Sequence, residues 1–519
     1  MSEYLYLPDN GDGTYNNPVI FCDYSDPDCI CVDGVYYMTA SSFNYVPGLP
    51  ILVSRDLINW RLAGYALSRI PEERYASPCH AQGVWAPAIR WHEGMFYIFY
   101  GQPDEGIYMV RTANPLGEWE LPVLVLPGKG LIDPCPFWDD DGRAYVVHGY
   151  AKSRIGFNSW LGIFPISPGG THAIGADRLL FDGTSEHPTI EGPKVHKRGG
   201  WYYIFAPAGG VETGWQAVLR SRSLMGPYEA RVVLRQGSSD VNGPHQGAWI
   251  ETPAGESWFM HFQSRGLYGR VTHLQPMRWT EDGWPFIGQE EDDPGCGVPV
   301  DTWDKPAGPE CEPCGMTGSD AFEGPLGLQW QFMANPAPDA YECGEGRLRL
   351  YARRLPGGGT RLWDCTQTCT QKIAAPACCA TVTVDAGCLH VGEQAGFALL
   401  GGQYAYAALR RTDDGLSLVH VVSEGEAHAE NITDEIVGLP EKPVTFRLTL
   451  LPMGDAEAVA TFEYAVDGVF RVVGKPFEPA RHTWVGARLA LFAMPLNGGA
   501  DHGGYADFGA FCVEAVETL

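Results

Sequence analysis

One pattern recurs five times in the first 300 residues, and it limits the fold more than any other feature of the chain. A small or acidic residue near Pro or Gly is followed by an apolar run, a turn and an aromatic-rich run. The copies are SDPDCICVDGVYYMTASS from Ser25, WAPAIRWHEGMFYIFYG from Trp85, IDPCPFWDDDGRAYVVHGY from Ile132, IEGPKVHKRGGWYYIFAPAGG from Ile190 and HQGAWIETPAGESWFMHFQ from His245. Asp33-Gly34, Glu93-Gly94, Asp141-Gly142, Arg198-Gly199-Gly200 and Ala254-Gly255 are hairpin turns in which Gly supplies the positive φ. The runs beside them carry the β-branched and aromatic residues of half-buried strands. Copies about 50–60 residues apart imply an array, with room for four short strands each. Five such units closing round an axis predict a five-bladed β-propeller over residues 1–300. SRDLINW at Ser54, RTANPLGEW at Arg111 and SRSLMGPY at Ser221 read as outer-strand turns, each with a packed aromatic.

The composition shifts near Gln289. The acidic, Pro- and Gly-rich stretch that follows reads as a linker over 301–319, or an arm wrapping a surface. From 320 to 519, alternating runs such as RLRLYARR, TVTVDA, LSLVHVV, VTFRLTL, ATFEYAV and ARLALFA predict a β-sandwich. The fold class is all-β: a five-bladed propeller followed by a sandwich.

Charge excludes some functions. A formal net charge of −27 repels nucleic acid and anionic membranes, and no run approaches eighteen apolar residues. A neutral sugar suits this charge; a polyanion does not. The N-terminus has neither a basic n-region nor an apolar h-region, and 15 cysteines cannot all pair. Reduced thiols and a cytoplasmic location are therefore expected. Cys311/Cys314 and Cys365/Cys369 fall short of a zinc set. Asp139-Asp140-Asp141-Gly142 lacks the remaining ligands of a calcium loop and reads as a hairpin turn.

Three copies carry an acid near the start of an inner strand: Asp26, Asp133 and Glu191. In a propeller these starts converge on the axis at one face, and the equivalent placement of the three acids would bring them into one funnel. Glycoside hydrolysis needs a proton for the leaving oxygen and a second carboxylate across the ring. A third can raise the acid's pKa by like-charge repulsion. Asp-Pro is also ordinary turn chemistry, so the shared placement carries the case.

Several stretches resemble glycoside hydrolase family 43, its β-xylosidase/α-L-arabinofuranosidase type with a C-terminal concanavalin-like β-sandwich (a jelly roll). They are NPVIFCDYSDPD, GVWAPAI, IDPCPFWDDDGRAY, IEGPKV, GPHQGAW and LYGRVTHLQPMRWTEDGWP, with LQWQFMANP, LRLYA, LWD and YADF in the rear domain. The resemblance implies an inverting exo-glycosidase that releases xylose or arabinose from hemicellulose-derived oligosaccharides and uses no organic cofactor. It implies Asp26 as general base, Glu191 as general acid and Asp133 as pKa modulator. Base and acid would stand about 6.5–9.5 Å apart, as inverting enzymes require. It implies that Arg270 grips sugar hydroxyls, that Phe43 and Trp85 wall the sugar, and that His245 helps hold a hydrated calcium ion at the propeller centre. A His that only hydrogen-bonds Glu191 is the other reading of that residue. Relatives of this type are often homo-oligomers. Ile190 replaces a usual polar residue, and Cys135 stands where Ser is common. An endo-acting arabinanase and a non-catalytic carbohydrate-binding propeller are the alternatives.

Overall fold

The computed structural model describes residues 4–497 and 503–516. Five four-stranded antiparallel sheets occupy 28–67, 85–127, 131–182, 194–235 and 245–287. The strands of each sheet pair in chain order, and every predicted hairpin joins the first two. The inner strands are Asp28–Val32, Trp85–His92, Leu131–Trp138, Lys194–Arg198 and His245–Glu251. Those of the first and fifth blades touch, which closes the ring. Chain ends seal it. Ile20 and Thr272 exchange backbone hydrogen bonds, and the Asn17 side chain clamps Leu274 and Val300.

The outer turns hold their aromatics as expected. Trp60 Nε1 donates to Leu57 O, Trp119 Nε1 to Pro115 O and Tyr228 Oη to Leu224 O. Each ring thus satisfies a carbonyl of its own turn while covering the blade edge. The Asp139–Gly142 segment is the expected hairpin turn, with Gly142 N donating to Asp139 O.

After the fifth blade the chain returns across the first. Thr302–Asp304 pairs with Thr14–Asn16, Cys314 N donates to Asn59 Oδ1, and Leu5 N donates to Met316 O. This stretch is an arm on the propeller surface. The sandwich then stacks a seven-stranded sheet on an eight-stranded one. Alternation is clean in the eight-stranded sheet, where Cys378–Asp385 and Val444–Pro452 bury every second residue. Glu393–Leu400 and Arg488–Pro495 are buried at every position, so the alternation expected of ARLALFA does not occur. The cause is a third layer. Phe43 and Trp85 of the propeller pack in one cluster with Ala398, Tyr406 and Phe492, which covers the sheet's second face.

Candidate active site

Each inner strand starts with the same irregularity. Asp26, Ala86, Asp133, Gly192 and Gln246 have φ of 55°, 30°, 55°, 54° and 36°. Each stands directly before a Pro or, in the fifth blade, before Gly247. Strand register shifts there, between Trp85 and Ala88, Ile132 and Cys135, and His245 and Gly247. A bulge of this kind re-aims a side chain, and non-glycine residues hold positive φ only under constraint from their surroundings.

This register corrects the expected equivalence of the three acids. Asp26 and Asp133 share the bulge position; in the fourth blade Gly192 fills it. Glu191 stands one residue earlier, level with Ser25, Trp85, Ile132 and His245. Glu191 and His245 therefore meet, Nε2 to Oε1 at 2.8 Å.

Asp26 is the most tightly held of the three. Its Oδ2 accepts from Ser25 Oγ at 2.7 Å and Ser41 Oγ at 2.5 Å, and its Oδ1 accepts from Arg270 Nη1 at 3.0 Å. The same Nη1 donates to Ser25 Oγ. The Arg270 amide donates to Asp23 Oδ1. The guanidinium plane, the two hydroxyls and the bulge fix the carboxylate, leaving Oδ1 the less occupied oxygen.

Asp133 is only 2% exposed. Its Oδ2 accepts from Gly192 N at 2.8 Å and from Gln246 Nε2 at 3.4 Å. Burial pushes its carboxyl well above the usual range, and the charges of Glu191 and Asp26 push it further; the Gly192 amide and the Lys194 ammonium act against them. Lys194 is fully buried on the inner strand that follows Glu191, and its Nζ has no hydrogen-bond partner among the described residues. The Glu191 side chain is 30% exposed, against 5% for Asp26. Of the three acids, Glu191 faces the funnel most openly.

Calcium at His245 can be tested on the donors present. Among the described residues no group of three or more His, Cys, Asp and Glu side chains could hold a metal ion. His245 spends Nε2 on Glu191, and its buried Nδ1 has no partner. One free nitrogen fits a hydrated ion as its single protein ligand; it provides no oxygen cage. Cys135 meets a different need: its Sγ accepts from Arg90 Nη2 and Val195 N, tying the second, third and fourth blades beneath the acids. Ile190 is buried in the apolar cluster between the third and fourth blades.

Phe43 and Trp85 lie beside the acids on adjoining segments, because Phe43 and Val84 exchange backbone hydrogen bonds. Both are buried. The Trp85 ring meets Trp484 of the sandwich edge-on, with centroids 4.7 Å apart. The loop bearing Trp484 is anchored by Arg481, whose Nη1 reaches Glu212 Oε1 and Ser264 Oγ, both at 2.7 Å. It is also tied by Gly486 N, which donates to Asp23 Oδ2. Between this loop and Arg270 opens a cavity of about 370 Å³, lined also by Glu212, Ser264 and Thr483. Sequence reasoning missed Ser25, Ser41, Gln246, Lys194 and Trp484. Gln246 had a signal, since it occupies the repeat position of Asp26 and Asp133. Trp484 had none, because only tertiary packing brings it here.

The sequence matches the family model for glycosyl hydrolases family 43 over residues 15–285. It matches the model for the β-xylosidase C-terminal concanavalin A-like domain over residues 319–514. A putative β-xylosidase of Xylanibacter ruminicola is 42% identical over 355 residues, which is 68% of this chain and 65% of that protein. The match therefore spans just under two thirds of that relative's length. A β-xylosidase of Formosa agariphila is 31% identical over 93% of this chain and 88% of that one. A non-reducing-end α-L-arabinofuranosidase of Bacteroides ovatus is 33% identical over 65% of each. A GH43 protein of Bacillus licheniformis superposes with a TM-score of 0.83 at 26% identity, covering 97% of this chain and 100% of its own. The chain belongs to glycoside hydrolase family 43.

Proposed function

We propose that the protein is an exo-acting pentosidase, releasing terminal xylose or arabinose from short hemicellulose-derived oligosaccharides. The observation that carries this reading is the meeting of three carboxylates from three blades, each in a different environment. Glu191, the most open, delivers its proton to the glycosidic oxygen as the bond to the leaving group breaks. Asp26, held ready by Arg270 and two hydroxyls, takes a proton from the water that attacks the anomeric carbon from the opposite face. Inversion follows from that single displacement. Asp133 stays at the edge of the chemistry. Its carboxyl lies close enough to Glu191 for the two charges to repel, and that repulsion helps raise Asp133 itself. His245 orients Glu191 through Nε2. Where a hydrated calcium ion is bound, Nδ1 would hold it, and the ion would supply positive charge near the acids.

The Trp484 loop supports exo action, because it walls the funnel on the sandwich side and restricts the site to chain ends. The names of the Xylanibacter, Formosa and Bacteroides relatives support xylose and arabinose as the sugars. The test is hydrolysis of 4-nitrophenyl β-D-xylopyranoside, 4-nitrophenyl α-L-arabinofuranoside and xylobiose, comparing wild type with Glu191→Gln. Activity on at least one glycoside is expected, with a larger loss on xylobiose, whose leaving group needs the proton. No turnover of any of the three would overturn the proposal in favour of sugar binding without catalysis.

A further inference from the structure

A second cavity lies away from the funnel, where the arm after the fifth blade, the first blade and the seven-stranded sheet meet. It measures about 360 Å³, and its lining includes Cys22, Tyr24, Arg61, Gln371 and Lys372. Lys372 ends the strand Cys369–Lys372, and its register partner on the next strand is Arg488. Like charges directly opposite one another destabilise a sheet. Arg488 is also withdrawn from water, at 2% exposed and with no hydrogen-bond partner for its Nε, while Lys372 is half-buried. Lys372 Nζ sits 3.6 Å from the centre of the Tyr24 ring, and Arg488 lies 3.5 Å over the Tyr45 ring. Neither cation forms an ion pair among the described residues. The nearby Asp23 gives its two oxygens to the amides of Arg270 and Gly486.

Gln371 beside Lys372 is only 2% exposed. Arg61 adds an exposed guanidinium to the lining. A chain of net charge −27 has therefore placed two cations, Lys372 and Arg61, on the lining of one cavity, with a third, Arg488, behind Lys372. Buried charge is costly unless it is paired. Burial, with the Arg488 charge behind it, lowers Lys372 to about 8 even though Cys22 acts in the other direction. An anion in the cavity would relieve that cost.

We propose that this cavity binds a small oxyanion, a carboxylate or phosphate compound no larger than a monosaccharide. The ammonium of Lys372 pairs with the anion, and the Arg61 guanidinium donates hydrogen bonds to it. The site is independent of the glycosidase reading, because binding is measured without turnover. Isothermal titration of the whole chain with sodium phosphate, sodium glucuronate and the neutral myo-inositol tests it. One-site binding of at least one anion and none of myo-inositol is expected, with phosphate and glucuronate separating the two chemistries. Lys372→Met should weaken that binding tenfold or more while melting no lower than wild type. Arg61→Ala, at an exposed position, should weaken it too and covers the case in which the lysine variant fails to fold. No saturable binding of either anion, or binding that both variants leave unchanged, would overturn the proposal.

Discussion

The propeller axis and the sandwich core are both buried, yet they are built in opposite ways. The axis gathers charge: Asp26, Asp133, Lys194 and Arg270 are all buried there, and four non-glycine residues hold positive φ at the strand starts. The sandwich core is apolar and regular, with Phe397, Leu448, Leu491 and Phe508 fully buried or nearly so. The contrast separates two tasks. Strain and unpaired charge persist at the axis because closure of five blades over-determines them. The sandwich supplies dry packing and one loop to the funnel. Substitutions at the axis should therefore cost activity far more than stability, and substitutions in the sandwich should do the reverse.

The largest expected effect is on turnover. Glu191→Gln should lower kcat on xylobiose by about 10²–10⁴-fold with little change in melting temperature. Asp26→Asn should cost at least as much, because the attacking water loses its base. The sandwich counterpart is Phe397→Ala. Its ring meets Phe511 edge-on inside the core, and its loss should destabilise by about 3–5 kcal/mol. Urea denaturation read beside kcat/KM of the folded protein would check this. A Phe397 variant that kept its stability but lost turnover would break the division of tasks.

Asp133 sharpens the comparison, because it should act on both quantities in opposite directions. Its folded pKa lies well above the usual value, so folding takes up a proton. Its contribution to stability is present below the unfolded pKa of about 3.9 and is lost as pH rises through the folded value. At pH values where the unfolded chain carries this carboxyl ionised, holding it in the fold costs stability. Asp133→Asn should therefore melt higher than wild type at pH 7, with the gain shrinking toward pH 4, while kcat falls by about tenfold or more. A variant that melted lower at pH 7 would show that the Gly192 bond outweighs the buried charge.

The blades were legible because glycine turns and aromatic runs repeat in the chain itself. The three acids were legible as members of that repeat, but aligning the copies on the acids themselves misplaces Glu191. Counting back from Pro27, Pro134 and Pro193 exposes the one-residue offset that turns Glu191 toward His245. The sandwich was legible where one face meets solvent, as in Cys378–Asp385, and illegible in Arg488–Pro495, where the propeller covers the second face. The contacts between the two domains were not readable at all. His80 and Trp85 of the propeller meet Trp363 and Trp484 of the sandwich from separate segments, and no local pattern announces it.

The junction of the two regions gives the smallest effect. Trp363 of the sandwich is stacked between His80 of the propeller at 3.6 Å and His428 at 3.7 Å, with His482 tilted against it at 5.0 Å. His80 Nε2 lies 2.9 Å from Trp363 O. Burial lowers His80 to about 3 and His482 to about 4, and it also lowers His428; neighbouring histidines lower the first two further, and Arg361 lowers the third, while Asp364 acts against them at His80 and His428. Each ring is therefore neutral in the folded protein at a pH where the unfolded chain, titrating near 6.5, binds a proton. The stack's contribution is full above that value and is lost as pH falls toward the folded values of about 3 and 4. His80→Phe keeps a flat ring against Trp363 and removes one titrating group. Its melting temperature should fall less steeply than that of wild type between pH 6 and pH 4, by a few degrees over that span. Parallel curves would mean that His80 titrates alike in both states, and the domain junction would then be held by packing alone.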